Sequence, residues 1–131
     1  MTASTPLVTG VDFLFVPTRD FERATAFYGD VLGLPCTARY GRIPGGEFET
    51  GNLTLQVIES AAIGREFRPS MMAIALRVDD VEAARSELAS RGVAFTADAI
   101  DSGVCHMAFF QDPDGNPLVL HHRYAPRASE S

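Results

Sequence analysis

The chain contains no lysine; all 11 of its basic residues are arginine. That excludes Schiff-base catalysis and the lysine of a Walker-type phosphate loop. Tryptophan is also missing, and the two cysteines, Cys36 and Cys105, lie far apart with neither metal-binding nor redox spacing. Free thiols in a reducing cytoplasm are therefore expected. No apolar run approaches the roughly 20 residues needed to span a bilayer. Met1 to Pro6 is short and polar, without the apolar core of a secretory leader. Membrane is thus not an expected partner. A net charge of −6 without basic clusters argues equally against nucleic acid, whose phosphates must be neutralised. The 131 residues, 46% of them hydrophobic, suit one domain or two small modules sharing a core.

The chain is written twice. Asp20-Phe21-Glu22-Arg23-Ala24 and Asp80-Val81-Glu82-Ala83-Ala84 lie 60 residues apart, and each Asp suits the N-cap of a helix. Phe21, Ala24, Phe27, Tyr28, Val31 and Leu32 recur at helical spacing after the first; Val81, Ala84 and Leu88 do so after the second. Gly33 and Gly92 then stand where a left-handed residue ends a helix. An apolar strand precedes each helix, Val11 to Val16 and Met72 to Val78. Three shorter strands follow in each half: 36–42, 47–50 and 53–58, then 93–97, 104–110 and 117–122. The order β-α-β-β-β twice over predicts an α+β fold made by internal duplication.

The last hairpin has a defined register. In Asp112-Pro113-Asp114-Gly115-Asn116, Pro113 presets φ for a turn, while Gly115 and Asn116 tolerate positive φ. A loop over 112–116 pairs Phe110 with Leu118, Phe109 with Val119, Met107 with His121 and His106 with His122. His121 and His122, adjacent on one strand, then point to opposite faces. The pair His106 and His122 has no carboxylate placed beside it in this pattern.

Two βαβββ modules, with Phe27-Tyr28 and Val31-Leu32-Gly33-Leu34 in the first helix and Asp112 to Asn116 in the last hairpin, resemble the vicinal oxygen chelate superfamily. This is the group of glyoxalases, bleomycin-resistance proteins and extradiol dioxygenases. The resemblance covers about residues 7–124 as one domain, with modules at about 7–59 and 71–124, a linker at about 59–70, and flexible tails at 1–6 and 125–131. It implies mixed sheets curled around a cavity, and a homodimer. It also implies a divalent metal held by four inward side chains. Matched residue by residue, those positions fall on Phe13, Gln56, Ala73 and Val119. Only Gln56 has a donor oxygen, and a metal site as a rule needs three or more protein donors. The expectation is therefore no metal and no other cofactor, with a divalent ion as the alternative.

Period-two alternation assigns Phe13, Phe15, Gln56, Ala73, Arg77, Phe109, Val119 and His121 to the cavity lining. Such a mostly apolar pocket with a few polar handles suits a small organic molecule, with Phe13 and Phe15 offering flat faces to a planar guest. Binding of a small hydrophobic or aromatic compound, as in sequestration of an antibiotic or metabolite, is the leading expectation. The alternatives are a glyoxalase-type lyase, isomerase or dioxygenase using a displaced metal or acid–base chemistry by His121, the best catalytic candidate, and a regulatory domain with a collapsed cavity.

Overall fold

Both predicted caps form in the computed structural model, which describes residues 5–127. The Asp20 carboxylate accepts from the Arg23 amide at 3.2 Å and that of Asp80 from the Ala83 amide at 3.0 Å. Helix α1 (Phe21–Thr25) widens over Ala26–Val31 into π-helical turns, closed by the Leu32 amide on the Phe27 carbonyl at 2.9 Å. Adjacent Phe27 and Tyr28 are both buried there, with ring centroids 5.2 Å apart. Helix α2 (Val81–Ser90) has the ordinary pitch. Gly33 and Gly92 take φ of 77° and 93°, the left-handed stop expected after each helix.

The strands are β1 (Phe13–Thr18), β2 (Cys36–Arg39), β3 (Gly45–Glu49), β4 (Thr54–Glu59), β5 (Ile74–Arg77), β6 (Ile100–Asp101), β7 (Cys105–Gln111) and β8 (Pro117–Arg123). They make two mixed four-stranded sheets of equivalent order, β1-β4-β3-β2 and β5-β8-β7-β6, with β1–β4 and β5–β8 parallel. The hairpin register is the expected one at each predicted pair, Phe110 with Leu118, Phe109 with Val119, Met107 with His121 and His106 with His122.

The expected strands 36–42 and Met72 to Val78 are shortened to Cys36–Arg39 and Ile74–Arg77, and two further strands differ for a visible reason. β1 begins at Phe13 rather than Val11, because its parallel partner begins at Thr54 opposite Phe13 and leaves Val11 nothing to pair with. Residues 93–97 make only an isolated bridge, Phe95 to Phe110. Phe95 packs its ring on Phe110 at 5.2 Å, under the Arg85 guanidinium, and the fourth strand forms instead at Ile100–Asp101. Side-chain packing overrides local alternation there. The linker carries a 3-10 turn, Ser60–Ile63. Of the expected tails, residues 1–4 and 128–131 lie outside the described residues.

A single hydrophobic cluster runs through both modules. Val16, Phe21, Tyr28, Phe48, Leu55 and Val57 from the first join Val81, Leu88, Ala108, Phe110, Leu118 and Leu120 from the second. Each sheet therefore gives its helix-bearing face to one shared core, and the opposite faces are left outside it. The two sheets do not close on each other.

The 112–116 loop clasps the modules together. Asp112, Asp114 and Asn116 are all buried. Asp112 accepts from its own loop amides and from the Tyr28 hydroxyl at 2.6 Å. Asp114 accepts from the Thr18 hydroxyl at 2.5 Å, the Arg19 amide at 3.0 Å and the Arg23 guanidinium at 2.8 Å. The Asn116 amide nitrogen donates to the Pro17 carbonyl at 2.8 Å, and its oxygen accepts from the Ser70 amide at 2.7 Å. Within the loop only Gly115 takes positive φ, 88°.

Gly46 on β3 is a packing glycine. A Cβ there would stand 2.6 Å from the Ala38 carbonyl oxygen and 2.9 Å from the Phe21 ring. One contact is backbone and the other a fully buried ring, so neither can yield easily. We expect Gly46→Ala to cost about 2 kcal/mol, as overpacked sites do. Urea unfolding should show a lower midpoint at unchanged slope, and an unchanged midpoint would refute this packing account.

Candidate functional site

The sequence-predicted lining residues do fall on the strand faces turned away from the helices, in rows set by the pairing. On the first sheet one row is Phe13, Thr54, Glu49, and the next is Phe15, Gln56, Glu47. On the second sheet the rows are Ala75, Val119, Phe109 and then Arg77, His121, Met107. Ala73 precedes β5 and is exposed. In the single chain the two sheets are not closed on each other, and the aromatic members of these rows stay open to solvent. Phe13, Phe15 and Phe109 are 42%, 63% and 37% exposed. The reason lies in the shared core, which takes the other face of each sheet and turns these faces outward.

Phe13 and Phe15 meet edge to face, ring centroids 5.1 Å apart. Aromatic rings of this size are normally covered, and two side by side on an open strand face mark a surface built to be covered. The Gln56 amide beside them donates to the Tyr40 hydroxyl at 2.5 Å, and that hydroxyl donates to Glu47, also at 2.5 Å. Burial and then the bond to Glu47 raise the Tyr40 pKa, so it remains a donor at neutral pH. Thr54 donates to both oxygens of Glu49, at 2.8 and 2.9 Å. Tyr40, Glu47 and Glu49 escape a reading of sequence because only the β2-β3-β4 register brings them to Gln56 and Thr54. The period-two positions of 45–49 are their sole local signal.

The second sheet carries the opposite charge. Arg77 is exposed and forms no ion pair or hydrogen bond among the described residues, not even with nearby Asp79. His121 is half-buried between Arg77 and Met107 and likewise has no hydrogen-bond partner among them. Cys105 sits opposite Arg123, its thiol against the Ser102 hydroxyl at 3.1 Å, and so is not paired with His121. On the other face His122 bonds the Val78 carbonyl through Nδ1 at 3.1 Å. His106 lies 3.5 Å from the Asp101 carboxylate, a partner that strand alternation did not anticipate because Asp101 belongs to the unexpected β6.

The donor set does not fit a divalent ion. Of the four matched positions, Phe13, Ala73 and Val119 carry no donor atom, and Gln56 is bonded through its amide to Tyr40. Among the described residues no three His, Cys, Asp or Glu side chains converge.

A cleft of about 470 Å³ that sequence reasoning did not find lies between the modules. Leu34 and Leu53 form one wall and Ile74, Leu76 and Leu88 the other, with Arg91 among the polar residues of the lining. Its leucines and isoleucine read as ordinary core positions in sequence, and of the residues expected to line a cavity Arg77 borders it.

The family model of the glyoxalase/bleomycin resistance protein/dioxygenase superfamily matches residues 10–120. The chain belongs to this superfamily. Solved structures similar to this chain include SMU.1112c, 27% identical, with TM-score 0.75 over 88% of this chain and 99% of its own. TnmS3, an antibiotic binding protein from Streptomyces sp. CB03234, is 25% identical with TM-score 0.76, over 91% and 99% of the two chains. A glyoxalase family protein from Bacillus anthracis, at 20% identity and TM-score 0.78 over 92% and 99%, shares the fold. No curated protein matches the chain.

Proposed function

We propose that this superfamily member is a metal-independent, cytoplasmic binding protein for a small hydrophobic or aromatic molecule. The observation that carries it is the exposed pair Phe13–Phe15 beside the Tyr40–Gln56–Glu47 chain. Flat apolar faces next to fixed polar groups are how such sites orient a planar guest. The antibiotic-binding activity of TnmS3 supports the same reading. A second copy of the chain would cover the exposed rings of these open faces. We therefore propose a homodimer with the ligand between them. The exposed rings speak against a collapsed, ligand-free cavity.

Thermal shift against a panel of planar aromatic compounds tests this, since a bound ligand raises the melting temperature by mass action. Phe15→Ala should weaken the best binder about tenfold, the scale of one lost aromatic contact. Undiminished binding by that variant, or stabilisation only by divalent ions, would sink the reading. The alternative is a glyoxalase-type lyase, isomerase or dioxygenase. The unpartnered ring of His121 on the open face of the second sheet favours it, as a free general base would. Turnover lost on His121→Ala with binding retained would support that alternative.

A further inference from the structure

The open face of the second sheet ends in a basic cleft of about 600 Å³ whose lining includes Arg77, His121 and Arg123. The pairing puts Arg77 beside His121 on adjacent strands, and Arg123 follows His121 by two residues on the same face. Arg77 has no partner among the described residues; Arg123 donates through one terminal nitrogen to the Pro126 carbonyl at 3.4 Å, and its Nε–H is buried without an acceptor. A buried donor left unpaired is costly, and an arriving acceptor removes that cost. Among the described residues that line the cleft, Asp79 is the one carboxylate, and it pairs with neither arginine.

The next row toward the start of β5 and β8 is Ala75, Val119 and Phe109. Two residues along a strand is about 7 Å, so this apolar row lies about that far from the Arg77–His121 row. Val119 stands between Ala75 and Phe109 and is itself buried, so a ring would rest on the methyl group of Ala75 and the exposed side of Phe109. An apolar row followed at about 7 Å by Arg77, with Arg123 one further step along, suits an aryl carboxylate that both long side chains reach from its far end. Guanidinium groups bind such oxygens through paired, charge-assisted hydrogen bonds.

We propose that the ligand of this protein is an aromatic acid, its ring on the Phe109–Val119–Ala75 row and its carboxylate held by Arg77 and Arg123. This rests on the proposed aromatic-binding role and names the class of molecule bound.

The test compares 1-naphthoate with the neutral 1-naphthalenemethanol by calorimetry on the full-length protein at low salt. The acid should bind at least tenfold tighter than the alcohol, as expected for a charge-assisted pair. Arg77→Gln should bring that ratio towards one, and Arg123→Gln should lower it independently, with melting curves confirming that both variants fold. Equal binding of acid and alcohol overturns this proposal and leaves the aromatic site standing. An acid preference that survives both substitutions also overturns it, by placing the acid elsewhere. Binding of neither compound overturns the aromatic site and this proposal together.

Discussion

Replacing Asp112 by alanine should cost this domain about 4 kcal/mol, close to the effect of breaking a buried ionic cluster. The carboxylate accepts four hydrogen bonds. Oδ1 takes the amides of Asp114 and Asn116, each at 2.9 Å, and Oδ2 takes the Tyr28 hydroxyl at 2.6 Å and the Asn116 side-chain amide at 2.7 Å. Tyr28 and Asn116 are 0% and 2% exposed, so neither can turn to water when the carboxylate is removed. The damage should spread, because Asn116 also holds Pro17 and Ser70, and Asp114 holds Thr18 and Arg23. Urea unfolding should show the loss of stability. Amide exchange should quicken around Arg19 and Ser70, where the clasp reaches outside its own hairpin. A cost under about 1 kcal/mol would mean that the loop is a turn and not a clasp.

Alkaline pH should destabilise the protein through one tyrosine. Burial of Tyr28 is the largest cause of a strong upward shift of its pKa, followed by the charge and hydrogen bond of Asp112 and then the charge of Asp114. The unfolded chain gives up this proton near pH 10, the ordinary value, while the folded chain keeps it. Stability from this group is therefore fully present below pH 10 and is lost as pH rises beyond it. The slope is about 1.4 kcal/mol per pH unit, or about 3 kcal/mol between pH 10 and 12. Tyr40 and Tyr124 also have raised pKa values and add a background. Comparison with Tyr28→Phe removes that background: the variant should be less stable at neutral pH but should lose less between pH 10 and 12. Parallel curves for the two proteins would show that Tyr28 ionises as readily in the folded state.

Much of the fold is legible along the chain because it is written locally. Asp20 and Asp80 announce helices through their own side chains, and Gly33 and Gly92 stop them because left-handed backbone costs glycine little. The loop from Asp112 to Asn116 sets a register by its length, and every pair predicted from it forms. The reading of 93–97 as a strand failed where Phe95 found a better place against Phe110 than in a ladder. Tyr40 had no visible role because its partners, Glu47 and Gln56, meet it only after three strands have paired.

The candidate site divides along the same line. Alternation along each strand determined which residues share a face, so Phe13, Phe15, Gln56, Arg77, Phe109, Val119 and His121 were identified together from the sequence. The resemblance to the superfamily, matched residue by residue, implied that Phe13, Ala73 and Val119 offer a metal nothing to bind. Which face would be buried was a tertiary decision. The helix-bearing faces of both modules merge in one core, joined by the 112–116 loop, because that takes their apolar side chains out of water and satisfies three buried polar side chains. The residues read as a cavity lining are consequently left on two open faces of opposite charge, and the same loop that gave the register is the clasp that keeps them open.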